Sequence, residues 1–327
     1  MEITTVDALY SLQKVPGKGR SLVATTNIPK GTRILSEKPI ITVNSDEPDF
    51  KKAQASIFQQ VEALPEQQRE AFIDMHNMHP FKNAAEQYLG IVRTNALPSE
   101  IEGDKAGIFL EACRINHACS SNAQKHWNEN IKRHTVHALR NISKGEEITI
   151  YYLRVLNSYA TRQEALKEKF GFECSCELCS LPLVQRQKSD ERLKKIYKLD
   201  SLIGKGAMGG MVDSPLRFLR YVDEQVGLYN ADGADDVGLP RAYPDAAQIC
   251  LANGILARGR IFVTKAADAW RISQGSDTKE VIVQEALARE PQKHRLYRMS
   301  MSRKWQSSVD NVPSGLDTNE FEDWLWR

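Results

Sequence analysis

Over the first fifty residues the hydrophobic positions fall in two short runs, 21–24 and 32–43, broken by Pro16, Gly17, Gly19, Pro29, Gly31 and Pro39. Short apolar runs between chain-reversing residues predict β-strands. From 49 to 97 the spacing lengthens: Ala53, Ile57, Phe58 and Val61, then Ala71, Phe72 and Met75, then Ala85, Tyr88, Leu89 and Val92 recur at helical intervals. Pro65 can open the second of these helices, because a first turn does not need its missing donor. Strand-like runs return at 135–139 and 147–153, so the helical block reads as an insertion within a β-rich domain.

Two segments echo each other. Residues 27–34 (Asn27-Ile28-x-Lys30-Gly31-x-x-Ile34) and 141–148 (Asn141-Ile142-x-Lys144-Gly145-x-x-Ile148) share one form. In each, an Asn-to-Gly turn separates two β-type runs. Two copies make no solenoid, and coincidence between hairpin turns is the competing explanation. After a turn-rich stretch at 154–158, Thr161-x-x-Glu164 reads as a capping box opening a helix to about Phe170. From Ser189 onward the pattern is helical, through Leu193, Ile196 and Tyr197, then Leu216, Leu219 and Val222, then 247–270, with loop composition at 204–210 and 230–239. A domain boundary is expected between 180 and 189.

With 41% hydrophobic and 26% charged residues, 327 residues suffice for about two folded domains, which excludes a disordered tail. The 44 basic and 42 acidic residues leave a charge of +2, so no direct nucleic-acid or membrane-surface binding is expected. Residues 1–14 lack the features of a signal peptide, and no window approaches the roughly 18 apolar residues of a membrane span. The expected compartment is nucleus or cytoplasm. Six cysteines are too few for a secreted disulfide scaffold of this length, and clustered thiols in a reducing compartment point to metal or catalysis.

Cys174-Ser175-Cys176-Glu177-Leu178-Cys179 places three thiols within six residues. A structural zinc site wants four ligands in a tetrahedron. Cys113, Cys119, His117, His126, His134 and His137 are upstream candidates for the fourth, and spacing does not choose among them. Such a site would clamp the polar 173–179 segment, which has little apolar surface of its own, back onto the β domain.

Three motifs then occur in order: Arg114-Ile115-Asn116-His117-Ala118-Cys119-Ser120-Ser121-Asn122, Gly145-Glu146-Glu147 ending at Tyr151-Tyr152, and the cysteine cluster. Together they resemble the NHSCxPN, GEExxxxY and post-SET cysteine motifs of SET-domain protein-lysine methyltransferases. Gly17-Lys18-Gly19-Arg20 is similar to that family's glycine turn beside the methyl donor. The resemblance spans about residues 10–180 and leans toward the SET and MYND domain branch or its fungal relatives. It implies an α+β chain: a β-rich, partly knotted SET domain at 1–158 with a helical insertion at about 49–97, a zinc-binding post-SET segment at 159–180, and a helical, weakly tetratricopeptide-like domain at 181–327.

The resemblance also implies S-adenosylmethionine as methyl donor, contacted by Lys18, Gly19, Arg20, Asn95, Asn116, His117, Tyr152 and Phe172. It implies one structural zinc on Cys119, Cys174, Cys176 and Cys179. Tyr152 would be the catalytic residue, with Tyr151 and Phe170 walling the substrate lysine channel. The partner would be a protein carrying a histone or non-histone lysine, met by a monomer. Ala118 and Ser121 depart from the family's Ser and Pro, and the absence of cysteine before Leu110 removes the MYND zinc finger. Cys113 and Cys250 are assigned to packing. Singly each motif residue has an ordinary structural explanation, and order and co-occurrence carry the resemblance. A catalytically silent SET-fold binding module, acting through its C-terminal helices, is the alternative.

Overall fold

Gly17 at φ 72° and Gly19 at φ 78° reverse the chain between β1 (Tyr10–Val15) and β2 (Gly19–Ala24), a backbone conformation that side chains with a Cβ disfavour. In this computed structural model, residues 8–44, 47–100, 104–153, 157–205, 209–231, 238–300 and 302–327 are described. The chain divides into two compact units, Met1–Leu181 and Pro182–Arg327.

In the first unit β3 (Arg33–Glu37) and β4 (Ile41–Asn44) split the predicted 32–43 run. Helices α1 (Phe50–Glu62), α2 (Glu66–Ile73) and α3 (Ala84–Asn95) follow, with Pro65 at the start of the second, as its missing donor allows. Short strands β5 (Leu97–Pro98) and β6 (Lys105–Ile108) pair with each other, and β6 also pairs with β4. Ile41, Ile57, Val61, Phe72, Ile91 and Ile108 bury this insertion against that sheet.

The rest of the unit comprises β7 (Asn116–His117), β8 (Ala123–Asn128), β9 (Arg133–Ala138) and β10 (Thr149–Ile150). Strand β9 lies between β3 and β8, all antiparallel, and β7 runs parallel to β10. Leu22, Ile28, Leu35, Phe109, Ile115, Val136, Ile148 and Ile150 form the core beneath. A fully buried side chain of this size contributes about 1.5–3 kcal/mol. The expected 147–153 strand shrinks to two residues, because the Tyr152 N–H leaves the ladder and donates to His117 Nδ1 (3.1 Å).

The echoed turns pair with each other. Ile28 and Ile142 exchange backbone hydrogen bonds (2.8 and 2.9 Å), and each turn's Asn accepts from the Lys amide of the other, Lys30 to Asn141 and Lys144 to Asn27, both at 2.9 Å. Gly31 (φ 81°) and Gly145 (φ 85°) donate to Ala138 and Ala24 carbonyls at 2.8 Å. The similarity is therefore a reciprocal packing device rather than a coincidence of turns.

The first unit closes with α4 (Tyr159–Phe170) and α5 (Glu177–Ser180). The capping-box expectation at Thr161 is corrected: Ser158, in extended conformation, is the cap and accepts from the Thr161 N–H, so Thr161 already lies inside the helix. The second unit holds α6 (Leu183–Lys205), α7 (Gly209–Asp213), α8 (Pro215–Asn230), α9 (Leu239–Ala252), α10 (Leu256–Gln274), α11 (Lys279–Arg289) and α12 (Thr318–Trp326). Its helix starts earlier than the Ser189 expected from periodicity. Phe218, Leu219, Ile249, Leu251, Phe262 and Trp326 centre its core, where Cys250 is fully buried. The expected loops at 154–158, 204–210 and 230–239 lie partly outside the described residues.

Candidate active site and thiol centre

The parallel pairing of β7 with β10 brings the Asn116-His117 and Tyr151-Tyr152 motifs side by side, although 35 residues separate His117 from Tyr152. The His117 ring is buried and fixed at both nitrogens: Nδ1 accepts from the Tyr152 amide, and Nε2 lies 3.4 Å from Cys119 Sγ. Its centroid is 5.4 Å from Tyr151, 5.2 Å from Tyr152 and 6.2 Å from Phe172. Phe170 lies 5.0 Å from Tyr152. Five aromatic rings thus converge, with Phe170 ending α4 and Phe172 following the left-handed Gly171.

Tyr152 donates its hydroxyl to the Ile115 carbonyl at 2.7 Å. Burial, then the neighbouring Cys113 and Glu147, pushes its phenol above the ordinary range, so it is neutral at physiological pH. A neutral phenol anchored to a carbonyl can orient a reacting group without competing as a nucleophile.

Polar residues frame one side. Asn116 Nδ2 donates to Glu147 Oε1 (2.8 Å) and the Lys18 carbonyl (3.3 Å), and Lys18 Nζ pairs with Glu147 at 2.7 Å. Asn122 ties the same loop down by donating to Glu146 Oε1 and the Glu147 carbonyl and accepting from the Thr149 amide. Arg20 and Arg114 both pair with Asp74 from the insertion. Added Cβ atoms at Gly17 and Gly19 would meet nothing within 4 Å, so the turn presents open backbone. Asn95 stands apart from the aromatic group in its hydrogen bonding: its side chain donates to the His76 and Ile91 carbonyls, both at 2.7 Å.

Cys119 lies two residues beyond the end of β7, and its sulfur meets those of Cys174, Cys176 and Cys179 in a buried group with all four within 4.8 Å of one another. Cys119 Sγ is 3.5 Å from Cys179 and 3.9 Å from Cys174. A tetrahedral ion with metal–sulfur bonds of about 2.3 Å separates its sulfurs by about 3.8 Å. The donor set therefore fits a metal ion. Of the fourth-ligand candidates, Cys119 joins the group, His117 touches it from outside, and Cys113 instead donates to the Asn95 carbonyl.

Sequence reasoning missed the groups that hold this centre. Gln163 on α4 clamps Cys174, accepting from its amide and donating to its carbonyl, both at 2.8 Å. The Cys119 amide donates to Cys176 Sγ (3.4 Å). Arg162 is buried beside the thiols. Burial pulls its guanidinium down, but Cys119 and Cys179 outweigh this and raise it. A cation there offsets negative charge on clustered thiolates. Glu147 and Asn122 lay within the quoted motifs, whereas Arg162 and Gln163 carried no sequence signal beyond a polar helix.

This geometry defines a SET domain: residues 19–153 match the family model described as SET domain. Histone-lysine N-methyltransferase set5 of Schizosaccharomyces pombe is 31% identical over 292 residues, covering 88% of this chain and 86% of that protein. Histone-lysine N-methyltransferase ASHR1 of Arabidopsis thaliana is 43% identical over 82 residues (25% of this chain, 17% of that protein), and SMYD1 of Homo sapiens 36% over 88 (24% and 18%). The chain belongs to the SET-domain family and is a methyltransferase.

Proposed function

We propose that the protein transfers methyl groups from S-adenosylmethionine to lysine side chains of histone or non-histone proteins in the nucleus or cytoplasm. The convergence of Asn116, His117 and the anchored, neutral Tyr152 with Phe170 and Phe172 carries this reading. Bound S-adenosylmethionine would supply a methyl group on a sulfonium, open to displacement by a neutral amine. Gly17, Lys18, Gly19 and Arg20 would take its charged amino-acid part against open backbone, with Asn116, His117, Asn95 and Tyr152 around it and Phe172 against its adenine. Tyr151 and Phe170 would wall the lysine channel, where aromatic faces tolerate a cationic product. A lysine, ordinarily near pKa 10.4, loses its proton more readily in a desolvated channel. The chain's part is alignment of donor and acceptor in a dry channel.

Cys119, Cys174, Cys176 and Cys179 would hold one structural zinc, which fixes the post-SET segment carrying Phe172 beside His117. Incubating the protein and labelled donor with core histones, and separately with a whole-cell extract, separates a histone from a non-histone substrate. Label on lysine supports the reading; donor binding with no transfer to any protein contradicts it.

A further inference from the structure

Lys125 breaks the pattern of its strand. On β8 it pairs with Val136, while Trp127 pairs with His134. On β9 these same residues pair with Leu35 and Glu37 of β3. Paired residues share a face, so Lys125 occupies the same side as Ala123, Leu35 and Val136, which are core. Its Nζ lies 5.7 Å from the Tyr152 ring centroid.

Cys113 is pushed up to about 12 by burial and stays a thiol. His134 is pulled down to about 3, by burial first and then by Lys125, and stays neutral. Glu37, on the same face, is occupied by the amides of Glu111 (3.1 Å) and Ala112 (2.7 Å). Strand β10 contributes Thr149 and Ile150, and His126 and Gln124 lie on the opposite face of β8. Burial lowers Lys125 itself to about 8, with Cys113 as the sole opposing influence, so it is charged at pH 7 without an acidic partner among the described residues.

Resting on the reading of Tyr152 as the catalytic residue, whose ring lies 5.0 Å from Phe170 of the lysine channel, we infer that Lys125 is a positioning residue whose positive charge beside the Tyr152 ring favours the neutral, nucleophilic form of the incoming lysine. A protonated lysine reaching the Tyr152 face meets a like charge, while a neutral amine does not. The lysine proton leaves to solvent before the amine lone pair attacks, and Lys125 takes no part in bond making.

The test is the pH dependence of kcat and KM for a lysine peptide in the full-length protein, wild type against Lys125→Met and Lys125→Arg. Lys125→Met is expected to move the acid limb of kcat up by about one pH unit, so that transfer near pH 7 falls about tenfold. It should lower KM for the peptide there and converge with wild type above pH 9. Lys125→Arg, which keeps the charge, should keep the wild-type limb. Lys125→Met should melt at or above the wild-type temperature, since it removes an unpaired half-buried charge. An unmoved limb in Lys125→Met, or an equal shift in both variants, overturns the inference. Absence of transfer by wild type at every pH overturns the methyltransferase reading itself.

Discussion

His134 shows how one residue couples the fold to pH. It is buried 4.7 Å from the Phe109 ring, and its folded value near 3 lies well below its ordinary 6.5. Above pH 6.5 the imidazole is neutral in both folded and unfolded chains, and its contribution to stability is complete. Between 6.5 and about 3 only the unfolded chain takes up the proton, so stability falls as pH falls, by up to about 1.4 kcal/mol per pH unit. Denaturant unfolding from pH 7 to 4 should therefore show a shallower loss in His134→Gln than in wild type. Identical slopes would show that His134 is not the group responsible.

At the scale of elements, the paired turns are the feature most open to direct test. Gly145 has open space around a Cβ, so Gly145→Ala should cost only the backbone term, about 1–2 kcal/mol, and Gly145→Asn less, because Asn tolerates the left-handed region. Asn27→Ala and Asn141→Ala remove equivalent hydrogen bonds and should each cost about 0.5–1.5 kcal/mol. Unequal costs by several-fold in equilibrium unfolding would contradict the reciprocal arrangement. The turns were legible because Asn and Gly carry their conformational demands in their identity. So were α1 to α3, whose faces repeat at helical spacing over many residues. Strand β8 was not: Gln124, Lys125 and His126 hide any alternation, and the strand is held by pairing with β9 rather than by its own pattern. Strands β5, β7 and β10 are too short to show a period at all.

Over the whole molecule, the motif residues found each other as their order along the chain implied, but the pieces that position them came from elsewhere. The Ile115 carbonyl, Gln163 and Arg162 act through backbone geometry or through space, which a linear pattern does not encode. The thiol centre links these scales, since Cys119 follows the strand bearing His117 while its three partners follow Phe172. Metal analysis should find about one zinc per chain, and Cys176→Ser should lose the metal and donor binding together. Retention of full donor affinity without metal would separate the thiol centre from the aromatic site. Most direct of all is transfer of labelled methyl to protein lysine by wild type and by Tyr152→Phe, with donor affinity measured alongside. Transfer by wild type that drops at least a hundredfold in Tyr152→Phe while the donor still binds is the result predicted. Undiminished transfer in that variant would contradict Tyr152 as the catalytic residue.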